Sequence, residues 1–240
     1  MNAFKKNYLK QQFNPDFLGI FLNPFYLIRK DLRTTLLKFI PQLTGRMLDY
    51  GCGRKPYINL FTVTEYIGAD IENEGHAHDQ EEIEILFDGK KLPIPDNSFD
   101  SAFSSEVFEH VFNPDETLQE IYRVLKPGAL FLLSVPFVWN EHEVPNDYAR
   151  YSSFGFPYLL KKNGFEIVES RKSGNFIKVI AQIKALYWYN RLARLSPILR
   201  IPLSILLISP KLIIGLIAAK ILPTDKSLYF NLVVLAKKPK

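Results

Sequence analysis

One stretch, RMLDYGCGRKPYINLFTVTEYIGAD from Arg46 to Asp70, limits what this chain can become. A short apolar run, Met47 and Leu48, ends on Asp49; the chain then turns through Gly51-Cys52-Gly53, and a second apolar run closes on Asp70. Glycine serves where the backbone takes positive φ or a ligand approaches closely. The pattern therefore predicts strand, glycine turn, helix, strand and a terminal acid. An acid ending the second strand stands where a ribose offers its two hydroxyls, which makes this a nucleoside-binding βαβ unit. A dinucleotide fingerprint needs a third glycine three residues after Gly53, and that position holds Pro56. Close packing on a pyrophosphate, and hydride transfer with it, is disfavoured.

Further strands follow. A third, Ile83 to Phe87, ends in Asp88-Gly89, and an acid there lies at the crevice where an open parallel sheet binds its ligand. Phe99 to Ser104 reads as a fourth strand, with a helix starting over Glu106 to Val111 and another over Asp115 to Leu125. A turn at Pro127-Gly128 precedes a fifth strand, Ala129 to Val135; Phe165 to Ser170 and Leu228 to Ala236 read as the sixth and seventh. His76, His78 and Asp79 cluster between the second and third strands, but their spacing suits a solvated loop better than a metal site.

Four strings, LDYGCG, LPIPDNSFD, SSEVFEHV and EIYRVLKPGALFLLSVP, resemble in order and distance the motifs of class I S-adenosylmethionine-dependent methyltransferases, over about Asp49 to Ser170. The resemblance implies a Rossmann-like, doubly wound α/β sheet of seven strands with the last antiparallel between the fifth and sixth. It also implies S-adenosylmethionine as cofactor, held by Asp49, Gly51, Cys52, Gly53, Asp70, Ile71, Asp88, Gly89, Ser105 and Glu106, with Asp88 accepting from the adenine amine.

The loop Val135 to Phe156 carries Glu141, His142, Glu143, Asp147, Tyr148, Arg150 and Tyr151. It is similar to the His-x-x-Pro-x-Asp-Tyr-x-Arg-Tyr segment of type 11-like methyltransferases in glycan and secondary-metabolite pathways. A sulfonium methyl is already electrophilic, so the protein's task is in-line placement, with a base needed only where the acceptor loses a proton. The expectation is His142 as that base, with Asp147, Tyr148, Arg150 and Tyr151 binding the acceptor and Arg150 holding an anionic group. Glu109 and His110 are weaker rivals for the base. No Asn-Pro-Pro-aromatic string follows the fourth strand, and Cys52 sits in the cofactor turn, so neither amino-group nucleic-acid methylation nor attack on a pyrimidine is indicated.

At 240 residues, 47% of them apolar, the chain can bury a full core. Cys52 is the single cysteine, which suits a reducing compartment, and MNAFKKNYLKQQ lacks the apolar core of a signal peptide. The expected division is a helical extension over 1–45, in which Asn23-Pro24 opens the longer helix, and a methyltransferase domain over 46–240 containing a helical insertion at 175–224. From Ser170 to Thr224 there are nine Lys or Arg and no acid, so this segment more than accounts for the net charge of +5. ILRIPLSILLISPKLIIGLIAAKIL is apolar enough for a membrane span, but strands six and seven of one sheet flank it, which forbids a single crossing. Interfacial helices on an anionic membrane are expected, placing the protein in the cytoplasm or peripherally on the inner face of the membrane. The function implied is O-methylation of a small-molecule or lipid-linked, glycan-type acceptor. The alternatives are an RNA-modifying methyltransferase, which the apolar character of the basic segment disfavours, and a non-catalytic binding protein of this fold.

Overall fold

In a computed structural model, which describes residues 11–71 and 83–240, seven strands form one sheet. They are β1 (Arg46–Tyr50), β2 (Glu65–Ile71), β3 (Ile85–Phe87), β4 (Phe99–Ser105), β5 (Leu125–Pro136), β6 (Glu166–Lys172) and β7 (Asn231–Lys237). Their order is β3-β2-β1-β4-β5-β7-β6. The pairs β1–β2, β1–β4, β2–β3 and β4–β5 are parallel. β7 enters antiparallel: Gly128 N donates to Lys238 O at 2.8 Å, and Lys238 N donates back to Ala129 O at 3.0 Å. Central strands buried on both faces need continuous apolar runs, and Phe131 to Leu133, Val135, and Leu232 to Ala236 are all buried.

Three connections depart from the sequence reading. No helix lies between β1 and β2: residues 51–64 form a turn and one 3₁₀ turn, Ile58–Leu60. Lys55 sits at φ 48° and Pro56 lacks an N–H, so a helix cannot propagate there. The rings of Tyr57 and Phe61 instead pack edge-on against Phe103 of β4, with centroids 6.1 and 4.9 Å away. The helix expected from Glu106 is a single 3₁₀ turn, Phe108–His110, entered through a positive φ of 58° at Glu106. Pro127-Gly128 is not a turn before β5 but lies within it. Phe99 pairs with Leu125 and Ser101 with Leu130, so the extra residues bulge out of the β4 register. His76, His78 and Asp79 lie outside the described residues.

The helices are α1 (Gly19–Leu22), α2 (Tyr26–Leu36), α3 (Pro114–Val124), α4 (Gly155–Lys162), α5 (Phe176–Leu192), α6 (Pro197–Leu207) and α7 (Ser209–Ile221). The chain forms two compact units, one of Met1–Thr35 with Lys172–Asn231 and the other of Leu36–Arg171 with Leu232–Lys240. In the first, Gln182 is fully buried. Its Oε1 accepts from Leu27 N at 3.1 Å and its Nε2 donates to Pro24 O at 2.7 Å. Lys178 Nζ bonds both carboxylate oxygens of Asp31 at 2.8 Å. The N-terminal helices are thereby tied to α5. Helix α7 approaches α5 so closely that a Cβ on Gly215 would lie 2.3 Å from that of Ala181. Gly215→Val is expected to cost about 1–3 kcal/mol, read by urea denaturation, because neither backbone can retreat from a packed helix pair.

Candidate functional site

The acids of the first three strands all come to the carboxyl edge of the sheet. Asp49, paired in register with Gly68, is buried and accepts a short hydrogen bond from the Tyr66 hydroxyl. Burial lifts its pKa to about 7; the Tyr66 bond pulls it down and the charge of Asp70 adds to the rise. Asp70 Oδ2 accepts from Gly53 N at 2.7 Å and Oδ1 from Ile71 N at 2.8 Å, which pins the glycine turn to the end of β2. The two turn glycines differ in purpose. Gly51, at φ 71°, faces Val107, whose Cγ2 would be 2.4 Å from an added Cβ. Gly53, at φ 44°, has nothing within 4 Å of that position and so borders open space. Cys52 is buried, and burial, with Asp49 and Asp70 beside it, pushes its thiol far up, so it acts as packing.

Asp88 follows β3 directly and is exposed, its Oδ1 taking the N–H groups of Lys90 and Lys91 at 2.9 and 3.4 Å. Gly89 takes φ 79° against Ile71. Across the crevice, Ser105 Oγ lies 3.0 Å from Ser134 Oγ, and Ser134 Oγ donates to Glu106 Oε1 at 2.7 Å. The sequence reading missed three residues that complete the wall: Tyr66, Lys55 and Glu84. Lys55 Nζ bonds Glu84 Oε1 at 2.5 Å, and Glu84 Oε2 accepts from Gly68 N at 2.6 Å. The pairing of β1 with β2 brings Tyr66 to Asp49, and the pairing of β2 with β3 brings Glu84, with Lys55 on it, to Gly68. The turn's N–H groups are used within the chain, Gly51 N and Cys52 N by Ala69 O and Gly53 N by Asp70, so the carboxylates at the strand ends and the open space at Gly53 are what fit a ligand with a positive charge and vicinal hydroxyls.

The second half of the site is the 3₁₀ turn after β4 and the loop after β5. Tyr148 N and Ala149 N donate to Glu109 O at 2.7 and 3.2 Å, joining the two segments. Asp147, with its side chain 3% exposed, is gripped by Arg150 Nη1 at 2.5 Å and Nη2 at 2.7 Å, and accepts from His142 N at 2.9 Å. The Arg150 guanidinium holds its carboxyl well below the usual range. Arg150 Nη1 and Nη2 also donate to Ala149 O and Asn140 O, so both are taken up within the loop, and its buried Nε has no hydrogen-bond partner. It braces the loop where the sequence reading gave it an acceptor's anionic group.

Tyr148 packs its ring on Phe112 at 5.3 Å, and Tyr151 stacks on Phe156 at 4.8 Å. His142 and His110 meet edge to face, with centroids 4.8 Å apart. Burial, and then the neighbouring His110, lower the pKa of His142, so its imidazole is neutral at neutral pH. Glu109 is completely buried and neither carboxyl oxygen has a hydrogen-bond partner. Burial, and then the charge of Glu106, raise its pKa well above the ordinary value. The pair the sequence ranked behind His142 thus shares one cluster with it.

Residues 48–133 match the family model described as "Methyltransferase domain". The 24-methylenesterol C-methyltransferase 3 of Arabidopsis thaliana is 28% identical over 196 residues, 69% of this chain and 51% of its own length. Human arginine-hydroxylase NDUFAF5, mitochondrial, is 31% identical over 100 residues, 39% of this chain and 29% of its own. The chain thus spans about half or less of the length of these two curated relatives. Among solved structures, Haemonchus contortus phosphoethanolamine N-methyltransferase 2 in complex with S-adenosyl-L-methionine has a TM-score of 0.54 at 20% identity, covering 100% of this chain and 61% of that one. That likeness is one of fold.

Proposed function

We propose that this chain, whose residues 48–133 match the methyltransferase-domain model, is a class I S-adenosylmethionine-dependent methyltransferase that moves a methyl group to an oxygen of a small-molecule or lipid-linked acceptor. One observation carries the reading: Asp49, Asp70 and the Gly51–Gly53 turn meet at the carboxyl edge of adjacent parallel strands. In this reading Asp70 takes the ribose hydroxyls, the turn takes the amino-acid end, Asp88 and Gly89 border the base, and Ser105 and Glu106 close the rim. Asp49 supplies negative charge toward a sulfonium. The bound cofactor supplies an electrophilic methyl. The protein's part is alignment of the acceptor along one line, the role we give to Tyr148, Tyr151 and the neutral imidazole of His142. Asp147 and Arg150 hold the loop that carries them.

For a hydroxyl acceptor, His142 stands beside the reacting oxygen to remove its proton. His142→Ala is expected to lower turnover about 10²-fold or more while leaving S-adenosylmethionine affinity within twofold. Isothermal titration with the cofactor, followed by transfer of labelled methyl into lipid and aqueous extracts, tests the assignment. No cofactor binding by the intact chain would overturn it.

The apolar acceptor class draws its support from α6 and α7. Pro202 lies inside α6, and Pro210 is the second residue of α7, two past the break at Ile208. Ile198, Leu206 and Ile221 are 84%, 67% and 75% exposed. Arg194, Arg200, Lys211 and Lys220 accompany them without an acid, the composition of an interfacial helix on anionic lipid. Because β6 and β7 are neighbours in the sheet, the segment leaves and returns to one place. The full chain is expected to pellet with phosphatidylserine vesicles and not with phosphatidylcholine vesicles. The Ile198→Glu/Leu206→Glu variant should stay in the supernatant, and equal pelleting of the variant would remove the membrane from the proposal.

A further inference from the structure

We infer that Glu109, His110 and His142 form a binding site for one divalent transition-metal ion, of the zinc or cobalt class, at the acceptor side of the cofactor crevice. One donor atom from each of the three lies within 4.8 Å of the other two. A tetrahedral ion with bonds of about 2.0–2.2 Å needs its donors about 3.4 Å apart. The side chains of His110 and His142, 17% and 31% exposed, would shift by about 1–1.5 Å to close that gap.

The orientation of each group supports ligation. His110 Nδ1 lies 2.6 Å from the Asn146 carbonyl oxygen, which only accepts, so Nδ1 carries a proton and, in the neutral imidazole, Nε2 holds the lone pair. That lone pair faces Glu109 Oε1 at 3.9 Å and Glu143 Oε2 at 3.7 Å. His142 Nδ1 is 3.3 Å from Asp147 Oδ2, whose carboxylate is itself fixed by Arg150. The backbone carbonyl behind His110 is the outer partner that orients an imidazole ligand, while His142 Nδ1 is buried and makes no hydrogen bond although Asp147 lies near it.

An independent observation comes from Glu109. A carboxyl group with no exposure and no hydrogen bond to either oxygen is costly to bury and needs a compensating partner. Arg150, the guanidinium of this loop, gives Nη1 and Nη2 to Asp147, and its buried Nε makes no hydrogen bond to either Glu109 oxygen. A divalent ion bound to both histidines would satisfy the acid. Two imidazoles and one carboxylate select zinc-like ions over magnesium or calcium, and three protein ligands leave a position open for an acceptor's hydroxyl or carboxylate oxygen. This site rests on the proposed methyltransferase reading for its use, not for its existence, and it recasts His142 from a proton acceptor to a ligand.

The test is titration of chelator-treated full-length protein with Co²⁺, read by visible absorbance and by competition with Zn²⁺. One equivalent is expected to give the intense d–d bands of a four- or five-coordinate ion. Glu109→Gln, which keeps the shape of the side chain, and His142→Ala should each weaken binding by at least the about 10–100-fold that loss of an outer-shell partner alone costs. Thermal melts of both variants check folding. Absence of the bands in the wild type, or equal Co²⁺ affinity in wild type and both variants, would overturn the site. S-adenosylmethionine titration of the same samples separates the two ideas: cofactor binding without Co²⁺ binding sinks the metal site alone, and the reverse sinks the methyltransferase reading alone.

Discussion

Replacing Asp49 by Asn is expected to make the protein more stable at pH 8 and at the same time to weaken S-adenosylmethionine binding by about 10–100-fold. Asp49 is buried, and its pKa moves from 3.8 to about 7 chiefly through desolvation. An acid whose folded pKa is raised binds its proton more tightly in the native state. Stability is therefore highest below the ordinary carboxyl range, declines as pH rises from about 4 to about 7, and stays low above that. The penalty at pH 8 is on the order of 4 kcal/mol. Asparagine removes it while still accepting the Tyr66 hydroxyl bond. The wild type and variant should converge in denaturation midpoint near pH 4 and separate at pH 8.

The functional loss follows from the same charge. The attraction between opposite unit charges about 4 Å apart is about 4 kcal/mol at an effective dielectric of about 20, and a neutral amide cannot attract a sulfonium in this way. Wild-type affinity should accordingly rise with pH through about 7, whereas the variant's should stay flat. A variant no more stable than wild type at pH 8, or one that binds the cofactor equally well, would show that Asp49 is neither desolvated nor near the ligand.

Arg150→Met is expected to produce the largest destabilisation in the loop after β5, about 3–5 kcal/mol, or a fall in Tm of roughly 10 °C. The cost comes from what is left behind. Asp147 is almost fully buried, and without the two guanidinium bonds it retains the His142 backbone N–H at 2.9 Å as its remaining hydrogen-bond donor. An unpaired buried carboxylate is far worse than a missing pair, so Arg150→Met/Asp147→Leu should recover much of the loss. The sign with pH is opposite to that of Asp49. Asp147 has a depressed pKa, so the stability it contributes is present above the ordinary carboxyl range and is lost as pH falls below about 4 toward the lowered folded value. Urea denaturation of the two variants and the wild type at pH 7 gives the comparison. A loss below 1 kcal/mol for Arg150→Met would mean that water reaches Asp147.

These expectations divide along a physical line. Strand positions, the glycine turn and the acids at the ends of β1, β2 and β3 were legible from local chemistry. Apolar runs, positive-φ glycines and terminal carboxylates are properties of neighbouring residues, and local pattern is enough to place them. The antiparallel placing of the seventh strand came from no local pattern and was implied only by the resemblance of the four motifs. Whether Gly51-Cys52-Gly53 leads into a helix was not local. Lys55 and Pro56 stop propagation, and Tyr57 and Phe61 fill the space on Phe103, a residue of β4. Pro127-Gly128 looked like a turn because those residues usually make one; the β4 register absorbed them as a bulge.

The site shows the division most sharply. The sequence by itself determined which residues carry chemistry: Asp49, Asp70, Glu109, His110, His142, Asp147 and Arg150 are all visible as titratable groups near predicted strand ends. Only the tertiary structure decided their partners. Arg150 was available to an acceptor in the sequence and is bound to Asp147 in the fold. Glu109 was a weaker rival for the base in the sequence and is an unsatisfied buried carboxyl beside two imidazoles in the fold. Desolvation and hydrogen bonding depend on atoms brought together across the sheet's edge, at separations along the chain that no local pattern encodes.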